Sequence, residues 1–207
     1  MPITAADVER TVRTTTATLA EALDADWDAP AGPMDWTCWE TVEHIADNFF
    51  FHAAQLGPRA AATDRPVPFA WARHREGGPG LVIFADRAAG PAGLLRVVEA
   101  CGALLVAMVR TTPPEVRAFH DEGVFGTEGF AAMTVGETLV HMDDVAAGLG
   151  LSWTPPADLC TRVLARFFPG APADTDPWAT LRWATGRGEL PGRPRVTRWR
   201  WGVQPSG

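Results

Sequence analysis

The 207 residues contain no lysine and no tyrosine, so all 18 cationic side chains are arginine. Without lysine there is no Schiff-base nucleophile, no pyridoxal-phosphate anchor and no phosphate-loop lysine. Without tyrosine there is no phenolic acid or base. Cysteine is scarce: Cys38, Cys101 and Cys160 are odd in number and widely spaced. They make no zinc-ribbon or dithiol motif and read as reduced, mostly buried thiols. Net charge is −7, and no basic run exceeds a few residues. Nucleic acid is therefore not an expected partner, since phosphates call for clustered cations. No uninterrupted run of about 18 apolar residues is found, so no membrane span is expected. The N-terminus lacks the basic-then-apolar pattern of a signal peptide. These absences predict a cytoplasmic protein.

What is present is apolar mass and helical punctuation. The chain is 46% hydrophobic, enough for a real core, and its length suits one domain with an appendage. Thr4-Ala5-Ala6-Asp7 reads as a capping box opening a helix to about Leu23. Thr37-Cys38-Trp39-Glu40 is a better box, opening a second helix to about Leu56. Residues 57–80 are rich in Pro, Gly and Arg and read as a long crossover loop. Leu81–Phe84 is a short strand or an apolar loop. Pro91 starts a third helix, Ala92 to about Thr111, which Pro113-Pro114 stops. A further loop leads to a fourth helix from about Glu128 to Gly148, with Gly148 and Gly150 as exit signals. Four long helices with two long connections predict an all-α four-helix bundle over 1–152. Residues 153–207 then form a short helical and extended C-terminal extension. It holds a fifth helix to about Phe168, a sixth at Trp178–Ala184, and an alternating stretch at Arg195–Trp201 that is strand-like or simply extended.

The chemistry concentrates in Gly136-Glu137-Thr138-Leu139-Val140-His141-Met142-Asp143-Asp144. At about 100° per residue, Glu137, His141 and Asp144 share one helical face within an apolar run. Two such ligand types at i, i+4 suit a metal. His44, about two turns into the second helix and flanked by Val42, Ile45 and Ala46, is a candidate third ligand. The competing explanation is a solvated helix that carries Glu and His by chance. A buried carboxylate among apolar neighbours is costly unless paired or metal-bound, which favours the site. Glu40 and Asp47, one turn either side of His44, are candidates to support it but read as a solvated face. His52 reads as a pocket or core histidine, and His74 and His120 as surface residues. Trp36 and Trp39 start the His44 helix near the expected pocket mouth. Arg187, Arg193 and Arg195 read as surface or tail anchors.

Three segments carry a family resemblance. Met34-Asp35-Trp36-Thr37 through Val42-Glu43-His44-Ile45-Ala46 is the first, and Glu137 through Asp144 is the second. The third is Trp183-Ala184-Thr185-Gly186-Arg187-Gly188-Glu189-Leu190-Pro191-Gly192-Arg193-Pro194 with Trp199-Arg200-Trp201. Together they resemble the DinB-like superfamily, and within it the mycothiol-dependent maleylpyruvate isomerase-like group. The resemblance implies a DinB-like bundle with one divalent metal, usually zinc. It places His44, Glu137 and His141 as ligands and Asp144 as a candidate catalytic residue that orients an imidazole or meets substrate. Nickel and iron are also compatible with these donors.

The resemblance further implies a small thiol, mycothiol, as cosubstrate, and a small electrophile that is isomerised or conjugated to sulfur. Only about 55 residues follow Gly150, whereas the founding isomerase carries a distinct C-terminal domain. The expectation is therefore a related thiol transferase. Two other readings stay open: a zinc-hydroxide hydrolase, and a non-catalytic metal-binding stress-response protein. A homodimer is compatible with the sequence.

Overall fold

The computed structural model describes residues 1–202. Helix α1 spans Ala5–Leu19 and runs into a single 3₁₀ turn, Ala20–Ala22. Helix α2 spans Cys38–Gln55, α3 Gly90–Thr111 and α4 Thr127–Leu149. Two shorter helices follow, α5 at Ala157–Phe167 and α6 at Pro177–Ala184. The fold is thus mostly helical. The expected helix starts have the predicted chemistry. The Asp7 carboxylate accepts from the Thr4 amide at 2.8 Å and its hydroxyl at 2.7 Å. In α2, Thr37 Oγ1 accepts from the Glu40 amide, and Glu40 Oε2 accepts from the Thr37 amide. Asp176 caps α6 by accepting from the Ala179 amide.

Helices α1 to α4 share one core. α2 packs on α3 and α4, and α1 packs on the same two from the other side. Two glycines set close approaches on α4. A Cβ on Gly148 would meet the Pro30 carbonyl and Cys38 Sγ, each at 2.4 Å, and one on Gly136 would meet the Trp201 ring at 2.8 Å. The C-terminal segment lies against this core: α5 packs on α4, and Arg162 makes two hydrogen bonds to Asp7 of α1.

Some expectations need correction and others are narrowed. Residues 118–125, read as loop, hold a small antiparallel pair, β1 (Ala118–His120) with β2 (Gly123–Phe125). Of the two readings of Leu81–Phe84, the apolar loop holds, with Leu81 bridging to Ala72. Arg195–Trp201 takes the second of its two readings, extended without a strand partner among the described residues. Residues 203–207 of the expected extension lie outside the described residues. Arg87–Thr111 is long and apolar enough, by length and composition alone, to cross a membrane, although Arg96 and Glu99 interrupt its apolar run. Here that helix serves two neighbours at once, which explains its wide apolar surface.

The crossover loop is held by buried acids. Glu40, Glu43 and Asp47 project from one face of α2 and are each at most 3% exposed. Glu40 takes two hydrogen bonds from Arg75. Glu43 accepts from the Ala85 amide and faces His74 Nε2 at 2.6 Å. Asp47 accepts from the amides of Val82 and Ile83. Glu40 and Asp47 are therefore not solvated, nor do they support His44: they strap residues 72–86 onto the helix. His74 is likewise tied down rather than free.

Candidate metal centre

His44 from α2 and Glu137 and His141 from α4 converge, with one donor atom from each lying within 4.8 Å of the others. The α2–α4 packing makes this possible, since both helices turn their ligand faces into the shared interface. His141 is buried, and His44 and Glu137 are half-buried. His141 Nε2 lies 3.1 Å from Glu137 Oε2. The other nitrogen, Nδ1, faces Asp144 Oδ2 at 3.4 Å, near enough for ion pairing but too long for a good hydrogen bond. Asp144, 1% exposed, is gripped in turn by Arg187, with Nε 3.0 Å from Oδ1 and Nη2 2.8 Å from Oδ2. Arg187 thus anchors the tail on α4.

Tryptophans enclose the cluster. The Trp36 ring packs edge-on against His44 at 5.1 Å and stacks on His141 at 6.0 Å. The indole N–H donates to the Gly77 carbonyl, so the strapped loop holds this ring in place. Trp39 is instead a core residue under Arg87. On the other side Trp201 donates its indole N–H to Glu137 Oε1. Sequence reasoning missed Trp201 at the site, because a partner 64 residues away leaves no local spacing signal. It also missed Asn48, whose Nδ2 lies 3.2 Å from His44 Nε2.

The three groups of the cluster shift one another's ionisation. Burial pushes His44 down to about 4, reinforced by the neighbouring His141 charge. Burial also opposes ionisation of Glu137, but His141, His44 and Trp201 outweigh it and hold the carboxyl at about 2. Burial disfavours the charged form of His141 as well, yet the Asp144 and Glu137 carboxylates raise it above its ordinary value. His44 Nδ1 is buried with no hydrogen-bond partner, an arrangement that costs roughly 1–3 kcal/mol when nothing satisfies it. Two imidazoles, one carboxylate and a second carboxylate behind one imidazole suit zinc, whose ligands at ~2.1 Å stand about 3.4 Å apart. The donor set fits a divalent ion.

His52 and His120 lie outside this cluster. His52 is buried with its Nδ1 2.5 Å from Thr134 Oγ1, and the His120 ring packs beside it at 5.2 Å. His52 is a core histidine as expected, whereas His120 is half-buried rather than a surface residue.

The family model described as mycothiol maleylpyruvate isomerase N-terminal domain matches residues 8–146. The chain belongs to this family. Its fold is similar to the crystal structure of the mycothiol-dependent maleylpyruvate isomerase and to that of a mutant of the same enzyme. Each match has a TM-score of 0.54 and 17% sequence identity, and covers 93% of this chain and 97% of the other. No curated protein matches the sequence. The match takes in nearly all of the isomerase chain. The short segment after Gly150 therefore does not separate the two proteins in overall extent, as its length had suggested.

Proposed function

We propose that this protein is a metal-dependent enzyme that uses a small thiol of the mycothiol type to isomerise a small electrophile or join it to sulfur. The observation that carries this reading is the convergence of His44, Glu137 and His141, in a family defined by a mycothiol-dependent isomerase. In this reading residues 1–152 form a four-helix bundle that holds the site, and 153–207 are an extension packed on it. Reduced cysteines and a thiol cosubstrate suit the cytoplasm.

His44, Glu137 and His141 would hold the ion. When bound, zinc or a similar divalent ion supplies a Lewis acid that favours the thiolate form of a ligated sulfur. The chain's own residues do the rest. Asp144 is enclosed by Arg187 and His141, so it acts through His141 by fixing the imidazole rather than by touching substrate. Trp36 walls off the imidazoles and keeps water from that side. In an isomerisation the thiolate adds to one carbon of a conjugated double bond, the resulting single bond rotates, and expulsion of the thiolate restores the double bond. No net proton or electron is consumed. In a conjugation the thiolate forms a C–S bond at an alkyl carbon as that carbon's bond to its leaving group breaks, and the leaving group departs with the bonding pair.

The test is turnover of maleylpyruvate and of activated alkyl electrophiles by zinc-loaded protein, with and without mycothiol. Turnover is expected only when metal and thiol are both present. Thiol-independent cleavage of esters or amides would instead make it a metal-dependent hydrolase. Absence of both turnover and metal binding would favour a binding protein.

A further inference from the structure

We infer that Trp201 is a positioning residue that couples docking of the C-terminal segment to metal loading; this rests on the metal reading above. Glu137 has two oxygens, and the structure gives each a separate task. Oε1 accepts the Trp201 indole N–H, and Oε2 faces His141 Nε2. With Oε1 occupied, the carboxylate presents one oxygen and one orientation to the ion. The indole is built in rather than resting on the surface. Trp201 is 4% exposed and packs on Phe167 and Phe168 at 5.3 and 5.4 Å. Gly136, immediately before the ligand, supplies the space: a Cβ there would lie 2.8 Å from the Trp201 ring. Of its neighbours in the segment, Trp199 packs edge-on against Trp201 at 5.4 Å while remaining 37% exposed, and Arg198 and Arg200 are exposed. The indole is thus the point at which this extended segment meets the site. Because coupling is reciprocal, whatever the docked indole adds to metal affinity the metal returns to docking.

Trp201→Phe keeps an aromatic ring in the same place, though a smaller one, and removes the donor. Zinc affinity, measured by chelator competition, should fall about 10–100-fold, as for other groups that orient a ligand. The melting temperature of the metal-free protein should fall by only a few degrees, from the smaller ring and the lost hydrogen bond, so affinity is compared at a temperature where both proteins are folded. In the wild type, zinc should slow tryptic cleavage after Arg198 and Arg200, and in Trp201→Phe this protection should be lost. Equal zinc affinity and equal protection in the two proteins would overturn the inference while leaving the metal reading intact. A wild type that binds no zinc would overturn both. If Trp201→Phe does not fold, Gly136→Ala decides, because it displaces the ring without removing it. A tenfold or greater loss of affinity in that variant supports the coupling, and unchanged affinity refutes it.

Discussion

His141 stands between two carboxylates, and that position separates its role from that of Asp144. Removing the imidazole leaves two protein ligands, too few to hold an ion, so His141→Ala should abolish zinc binding. Asp144→Asn removes charge behind the ring but keeps its shape, so affinity should fall only about 10–100-fold. Metal content after dialysis checks the order: loss in Asp144→Asn with retention in His141→Ala would invert the two roles. At this scale the sequence was legible where the site is local. Glu137, His141 and Asp144 declare themselves by helical spacing, and His44 by its apolar flanks. Glu40 and Asp47 misled because their partners, Arg75 and the Val82 and Ile83 amides, lie 35 or 36 residues away in the loop. An acid on a helix face looks solvated until the segment that covers it is known.

Between elements, the clearest electrostatic clamp joins α1 to α5. Burial would raise the Asp7 carboxyl, but hydrogen bonds from Arg162 and Thr4 outweigh it and hold the group at about 2, against an ordinary value of 3.8. A depressed carboxylate stabilises the fold above its unfolded pKa, and that stability is lost as pH falls from about 4 through 2. The stake is about 2 kcal/mol. Thermal melts should therefore drop over that window, and Asp7→Asn should be less stable at neutral pH yet show a shallower acid slope. Equal slopes in the two proteins would refute the clamp. Helix starts were readable because capping boxes and first-turn prolines act within four residues. The β1–β2 pair was not, since three-residue strands are too short to show alternation.

On the scale of the whole molecule, the segment after Gly150 behaves as part of the core's cover. Deleting residues from Asp174 onward removes the tryptophan at 201 and the Arg187 grip on Asp144. A large buried apolar side chain is worth roughly 1.5–3 kcal/mol. The truncated protein should melt more than about 5 °C lower or aggregate; unchanged melting in calorimetry would show that the extension is dispensable. Mostly helical architecture was legible from the four long apolar patterns. The attachment of the tail was not, because it depends on pairs such as Asp7–Arg162, 155 residues apart.

The glycines of α4 carry a consequence for how the protein assembles. Gly129, Gly136 and Gly148 let Phe125, Trp201 and Pro30 approach the helix that bears Glu137 and His141. Each costs helix stability, about 1 kcal/mol relative to alanine, so α4 is intrinsically weak by roughly 3 kcal/mol. It becomes a helix only when its neighbours arrive. The spacing of Glu137 and His141 therefore depends on that packing. On the proposed metal reading, a site drawn from both α2 and α4 exists only where those two helices are packed on one another, so metal affinity and the integrity of that packing should fall together.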